Sequence, residues 1–264
     1  MMVIQNIFAI FQKEFQSYFK SPLAYIVAGI YWLIAGSFMV SMLLGERGII
    51  QEVAYGEQLG IPIGSVDVPY IFLTSFFSVL GTLCLFILPI LSMGLYTEER
   101  KSGTLELLAT SPIYNWVIAL GKLLGVVAFF LFMIMPFLFY EVIIFSASTP
   151  AIPFAVPLSA HLGLILLATA ILSWGMFISS LTDSNIISAI LTFATILFLW
   201  IIDIFANNID GAIGDFLQQL SLLESYNNLV NGIWEVNNIV LLLSYIFLGI
   251  FFTAQSIEIL RYKE

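Results

Sequence analysis

Charge is what this sequence has least of. Aspartate, glutamate, lysine and arginine make up 9% of its 264 residues, whereas soluble chains carry about 25%. That is too little charge to coat a water-facing globule of this size. Histidine and cysteine are rarer still, at one each. Cys84 lies inside an apolar run, so it forms no internal disulfide and supports no thiolate metal cage. It reads as a small buried hydrophobe. His161 is too solitary for a His-Glu-x-x-His zinc motif. Its position near the head of an apolar run predicts an interfacial side chain. The serines of the apolar runs have no positioned base that would make one a nucleophile. Gly121-Lys122 ends no phosphate-binding loop, because Trp116 stands where the first glycine is needed and Leu123 where a hydroxyl is needed. The sequence therefore predicts no catalytic residue, no metal ligand set and no nucleotide site of its own. A net charge of −9 without a basic patch also argues against a nucleic-acid partner.

Hydrophobic residues dominate instead, at 61%, with a mean hydropathy of +1.05. They come in runs of roughly 20 or more, long enough to cross about 30 Å of hydrocarbon as helix. They do not alternate every second residue as barrel strands do. The predicted fold is all-α: one polytopic domain over 1–264 with six transmembrane helices. The spans are expected at 22–44, 69–96, 113–145, 158–181, 186–205 and 236–260. The first follows an amphipathic segment and has none of the features of a cleavable signal peptide. The third is too long for the bilayer, about 50 Å at 1.5 Å per residue. Pro136 should kink it, and Pro89 should do the same near the inner end of the second span, because proline lacks a donor and crowds the preceding turn.

Six spans put both termini on one side. That side then holds seven of the eight basic residues, and only Arg47 falls on the other. The positive-inside rule places it in the cytoplasm. Ten of the seventeen acids fall at or near the outer side, Glu141 and Asp203 among them. Glu141 lies about 39 Å along a helix from Asn115, which predicts a place near the outer headgroups. Lys122 lies about 10 Å in and is expected to snorkel to the inner surface.

Three further segments stand out. Residues 1–21 carry an amphipathic helix over 4–19. Ile4, Ile7, Phe8, Phe11, Phe15, Tyr18 and Phe19 form its apolar stripe, and Gln5, Gln12, Lys13, Glu14 and Gln16 its polar face. Such a helix lies in the inner membrane interface, and Phe8, Phe11, Lys13 and Phe15 are its expected interfacial residues. Ser21 is the expected N-cap of the first span and Pro22 its first residue. On the outer side, 206–235 should form one or two short helices, 45–68 should be irregular, and 146–157 should be a stiff proline-rich turn.

The third segment is the loop at 97–112. Four consecutive charges, Glu98, Glu99, Arg100 and Lys101, precede a flexible Gly103. Thr104 then caps a short amphipathic helix ending at Ala109, and Ser111-Pro112 opens the third span. The residues Glu98, Glu99, Arg100, Gly103, Thr104, Glu106 and Leu108 resemble the cytoplasmic loop of type-2 ABC exporter permeases. The branch most similar is that of the bacterial gliding-motility permeases. The length, six spans and leading amphipathic helix resemble that class over nearly the whole chain. The run Gly232-Ile233-Trp234-Glu235 before the last span departs from the branch, which has an arginine in this region.

The resemblance implies a permease subunit in the bacterial inner membrane. It would work as a homodimer with two separate ATPase subunits, and ATP and Mg would sit on those ATPases. Glu98, Glu99, Arg100, Gly103, Thr104, Leu105, Glu106, Leu107 and Leu108 would form the coupling helix, the leucines offering an apolar plug. Two other readings stay open: a non-transporting membrane anchor of an ATPase-containing complex, and an intramembrane lipid-modifying enzyme. An accessory outer-side subunit would be compatible with either transporter-like reading.

Overall fold

A computed structural model describes residues 2–46, 48–58, 68–105, 113–146, 153–206, 211, 214 and 220–261. Among them are ten helices and no strand. They are α1 (Met2–Tyr18), α2 (Pro22–Leu44), α3 (Ile49–Gln58), α4 (Val68–Ser92), α5 (Gly94–Lys101), α6 (Asn115–Ser146), α7 (Ala155–Leu181), α8 (Asn185–Ala206), α9 (Leu222–Val230) and α10 (Val236–Arg261). Six helical stretches among the described residues are long and apolar enough to cross a membrane, α2 with α3 and α4 with α5 each counting as one. The chain is an all-α polytopic protein, as the hydropathy requires.

The helix α7 is the hub. It packs against α4, α5, α6, α8, α9 and α10. Its glycines and serines permit this: Gly175 faces Ser92 and Thr192, while Ser173 lies against Gly249 of α10. Helices in lipid associate by close approach of small residues rather than by hydrophobic exclusion. The aromatic core sits between α2, α4 and α6, where Tyr31, Phe72, Phe76, Phe77, Phe130 and Phe137 are buried. At the end of the bundle away from α1, α9 closes over α4 and α7. Ser221 caps it by accepting from the Glu224 amide at 3.0 Å, half of a Ser-x-x-Glu capping box. Its Tyr226 hydroxyl donates to the Phe77 carbonyl at 2.6 Å. Burial raises that phenol's pKa well above its ordinary range, so it stays a neutral donor.

Several expectations are corrected. The stretch after α2 is not irregular throughout, since α3 occupies Ile49–Gln58. Ser21 holds the N-cap position before Pro22, but its hydroxyl makes no capping bond. Helix α6 carries Pro136 inside it without ending there, as a kinked helix can. Near it the indole of Trp32 donates to the Met133 carbonyl at 2.8 Å, the kind of neighbouring donor that makes proline tolerable in a span. Pro89 does precede a break: α4 ends at Ser92 and α5 begins at Gly94.

The polar face assigned to α1 is also revised. Glu14 is 8% exposed and packs into the bundle. The contact stripe is Ile7, Ile10, Glu14 and Tyr18, rotated from the aromatic stripe. Beside it Phe8, Phe11, Phe15 and Phe19 form a ladder of rings, with successive centroids 6.0, 5.8 and 5.0 Å apart, and Phe15 and Phe19 also pack against the core. Glycines on α6 set this geometry. A Cβ on Gly121 would lie 2.8 Å from Ile10, and one on Gly125 2.5 Å from the Glu14 Cβ. Gly121-x-x-x-Gly125 is thus a groove in which the α1 backbone lies.

Candidate functional site

The charged segment singled out in the sequence is the last two turns of α5 and its exit. Pro89 has no N–H, and at Met93 the helix is interrupted, which leaves backbone groups near the break to be satisfied by other partners. Side chains from three other helices serve them. Ser179 of α7 accepts from the Tyr96 and Thr97 amides at 3.0 and 3.3 Å and donates to the Met93 carbonyl at 2.8 Å. Tyr18 of α1 donates to the Leu91 carbonyl at 2.8 Å. Burial first, then nearby carboxylates, raise the pKa of that phenol, so Tyr18 keeps its proton. Lys122 of α6 donates to the Leu95 carbonyl at 2.8 Å.

Lys122 is the centre of the cluster. It is 2% exposed and does not snorkel. Its ammonium also meets Glu14 at 2.6 Å and Glu99 at 3.0 Å, so three donors have three acceptors. It lies 5.0 Å from the Tyr96 ring centroid, a cation–π distance. Glu99 additionally binds Lys13 at 3.3 Å. Two carboxylates and two ammonium groups therefore join α1, α5 and α6 into one near-neutral network. Lys13 is bound into it through Glu99 while its side chain stays exposed.

The other side of α5 is tied to the loop between α7 and α8. Arg100 pairs with Asp183 at 2.9 Å and donates to the Ser180 carbonyl at 3.3 Å. Asn185 accepts from Thr97 at 2.5 Å and from Lys101 at 3.2 Å. The C-terminus of α5 closes by a Schellman motif. Gly103 donates to the Arg100 carbonyl at 3.2 Å and Thr104 to that of Glu99 at 2.9 Å. Gly103 has φ +68°, a left-handed conformation that glycine adopts without steric penalty.

The structure thus divides the sequence-expected site. Glu98, Lys101, Ser102, Gly103 and Thr104 are exposed. Glu99 and Arg100 are half-buried and engaged within the chain. Leu105 is 4% exposed and belongs to the chain's own core, so it does not protrude as part of a plug. Glu106, Leu107 and Leu108 lie outside the described residues, as does the rest of the expected short helix. Sequence reasoning missed Glu14, Lys122, Ser179, Asp183 and Asn185 as partners of this segment. A Gly-x-x-x-Gly spacing beside a lone lysine was the available signal.

Comparison with known families gives a match to the ABC-2 family transporter proteins over residues 2–258. Comparison with curated proteins gives no match.

Proposed function

This chain belongs to the ABC-2 family of transporter proteins, and from that premise we propose that it is the membrane half of an ATP-driven exporter. It couples a substrate pathway to a separate ABC ATPase. We place it on the gliding-motility-like branch of the family, on the strength of the Glu98–Thr104 run. Transport in this reading needs no catalytic residue on the chain, and ATP and Mg stay on the ATPase.

One observation carries the coupling role. The α5 segment is exposed on one face and, on the other, fastened by charge pairs to α1, α6 and the α7–α8 loop. A push on the exposed face is therefore delivered to several rigid helices together. The anchors fix register, and Glu98 and Lys101 present opposite charges outward, which favours one docking orientation. Membrane orientation follows from the seven-to-one basic asymmetry: both termini and α5 lie on the cytoplasmic side. The pathway lies at a two-fold seam between two copies. Helix α8 supports this reading, because it is the span least covered by the rest of its own chain.

Co-purification tests the assignment. The chain with its ABC ATPase should form a complex of two copies of each by native mass spectrometry, with ATPase turnover stimulated. Glu98→Lys should leave insertion intact and weaken that complex and its stimulated turnover. A Glu98→Lys chain with undiminished binding and stimulation would remove the exposed α5 face as the docking element. Cargo that accumulates inside cells lacking the chain supports export, whereas cargo depleted from them opposes it.

A further inference from the structure

At the end of the bundle away from Lys122 lies a second polar pair that the coupling role does not use. Glu141 of α6 was expected near headgroups and His161 of α7 at the interface. The structure buries both, at 0% and 2% exposure. Glu141 sits on the buried face of α6 between Phe137 and Phe145, whose rings meet Phe76 and Phe72 of α4 edge to face. His161 Nδ1 is 3.5 Å from Glu141 Oε2, and its ring abuts Phe77 at 4.9 Å. Among the described residues, the titratable neighbours within electrostatic reach are Tyr31 of α2, Cys84 of α4 and Tyr226 of α9. None of these is a cation.

Hydrogen bonding locates the proton. His161 Nδ1 is 2.9 Å from the Pro157 carbonyl, which can only accept, so Nδ1 carries hydrogen. Nε2 is buried without a partner among the described residues. Protonating it would bury an N–H with no acceptor, so the ring is neutral. Neither Glu141 oxygen has a hydrogen-bond partner there. An ionised carboxylate in that position would be desolvated with nothing in return, whereas the acid form avoids the charge.

We propose that Glu141 and His161 form a proton-binding site inside the bundle, with the proton on the Glu141 carboxyl and the imidazole neutral while the helices are packed. When α6 and α7 part at this end, water reaches the carboxyl, which ionises and passes its proton to solvent. The packed arrangement is then favoured at acid pH and the parted one at alkaline pH. The site stands apart from the ATPase-coupling reading and does not depend on it.

The single histidine makes the test specific. The full chain, labelled with ¹⁵N-histidine and placed in lipid nanodiscs, gives the signal of His161 alone. At neutral pH it should show an uncharged ring with the proton on Nδ1. Infrared spectra of the same sample should contain a protonated carboxylic-acid band that Glu141→Gln removes and Glu14→Gln leaves in place. If Glu141→Gln does not assemble, Glu141→Asp identifies the band by shifting it. An imidazolium signal at neutral pH, or a spectrum with no acid band assignable to Glu141, overturns the proposal.

Discussion

Lys122 is the residue on which the charged end of the bundle depends. Its ammonium is buried beside Glu14 and Glu99, and removing it alone strands two carboxylates in a poorly hydrated place. Breaking a buried pair from one side costs roughly 3–5 kcal/mol. Lys122→Met should therefore lower the thermal stability of the purified chain sharply. Adding Glu14→Gln should recover part of that loss, because the pair is coupled. Equal damage from the single and double variants would show that the lysine acts by packing alone. The neighbouring acids should also separate in their effects. Glu98→Lys changes an exposed charge, while Glu99→Lys places a cation against Lys13 and Lys122. Only the second should destabilise the isolated chain in a melting experiment. Gly103 adds a backbone case: with φ +68°, Gly103→Val should cost roughly 1–2 kcal/mol locally, read as faster amide exchange at the end of α5. Gly103→Asn should be milder. The sequence already pointed to Glu98, Glu99, Arg100 and Gly103, because charge and glycine between apolar runs need a reason. It did not point to Glu14, since helical periodicity assigns an acid to the water side unless its partner is known.

Among the elements, α1 and α5 show how one helix is held by another. Helix α1 lies on Gly121 and Gly125 of α6 with no room for a Cβ. Gly125→Leu should lift α1 from the bundle while leaving the spans inserted. Protease cleavage within α1 should rise, whereas membrane extraction should be unchanged. Helix α5 begins at a break and takes its N-terminal cap from Ser179. Ser179→Ala should cost about 0.5–2 kcal/mol, as loss of a cap does. The loss should appear as local exchange at Tyr96 and Thr97 without a change in the rest of the bundle. The existence and type of the long helices were legible from run length and hydropathy. The amphipathic period also marked α1 as helical. It assigned Glu14 to the polar face, whereas that residue packs into the bundle beside Tyr18. A cap supplied from a distant helix leaves no local sequence signal at all.

For the whole molecule, topology and assembly are the quantities to measure. In a Cys84→Ala background, cysteines at 52, 57 and 224 should react with an impermeant reagent from outside. Those at 101 and 263 should react only after permeabilisation. Outside labelling of Lys101→Cys would invert the proposed orientation and with it the cytoplasmic place of α5. The proposed two-fold seam makes a periodic demand on α8. Ile190, Leu191 and Ala194 are exposed, and Phe198 is 65% exposed, whereas Ser188, Thr192 and Ile196 are buried within the chain. Cysteines at the first set should crosslink to their own copies, and those at the second should not. Crosslinking without that period, or none at any position, would remove α8 from the seam.

Composition and pattern alone determined the class of this protein. Runs of about 20 apolar residues in a chain with 9% charge must be membrane helices, since backbone polar groups in lipid have to be satisfied within each segment. The loop at 97–112 was visible for the same reason: charge is costly near lipid, so a concentrated run of it stands out. Only the tertiary structure decided which ionisable groups meet. Lys122 and Glu14 are separated by 108 positions, and Glu141 and His161 belong to different spans. A hydropathy profile assigns depth along one helix but carries no information on the rotation of that helix about its axis. That rotation is fixed by where small residues let backbones approach. It turned Lys122 and Glu141 toward the inside of the bundle.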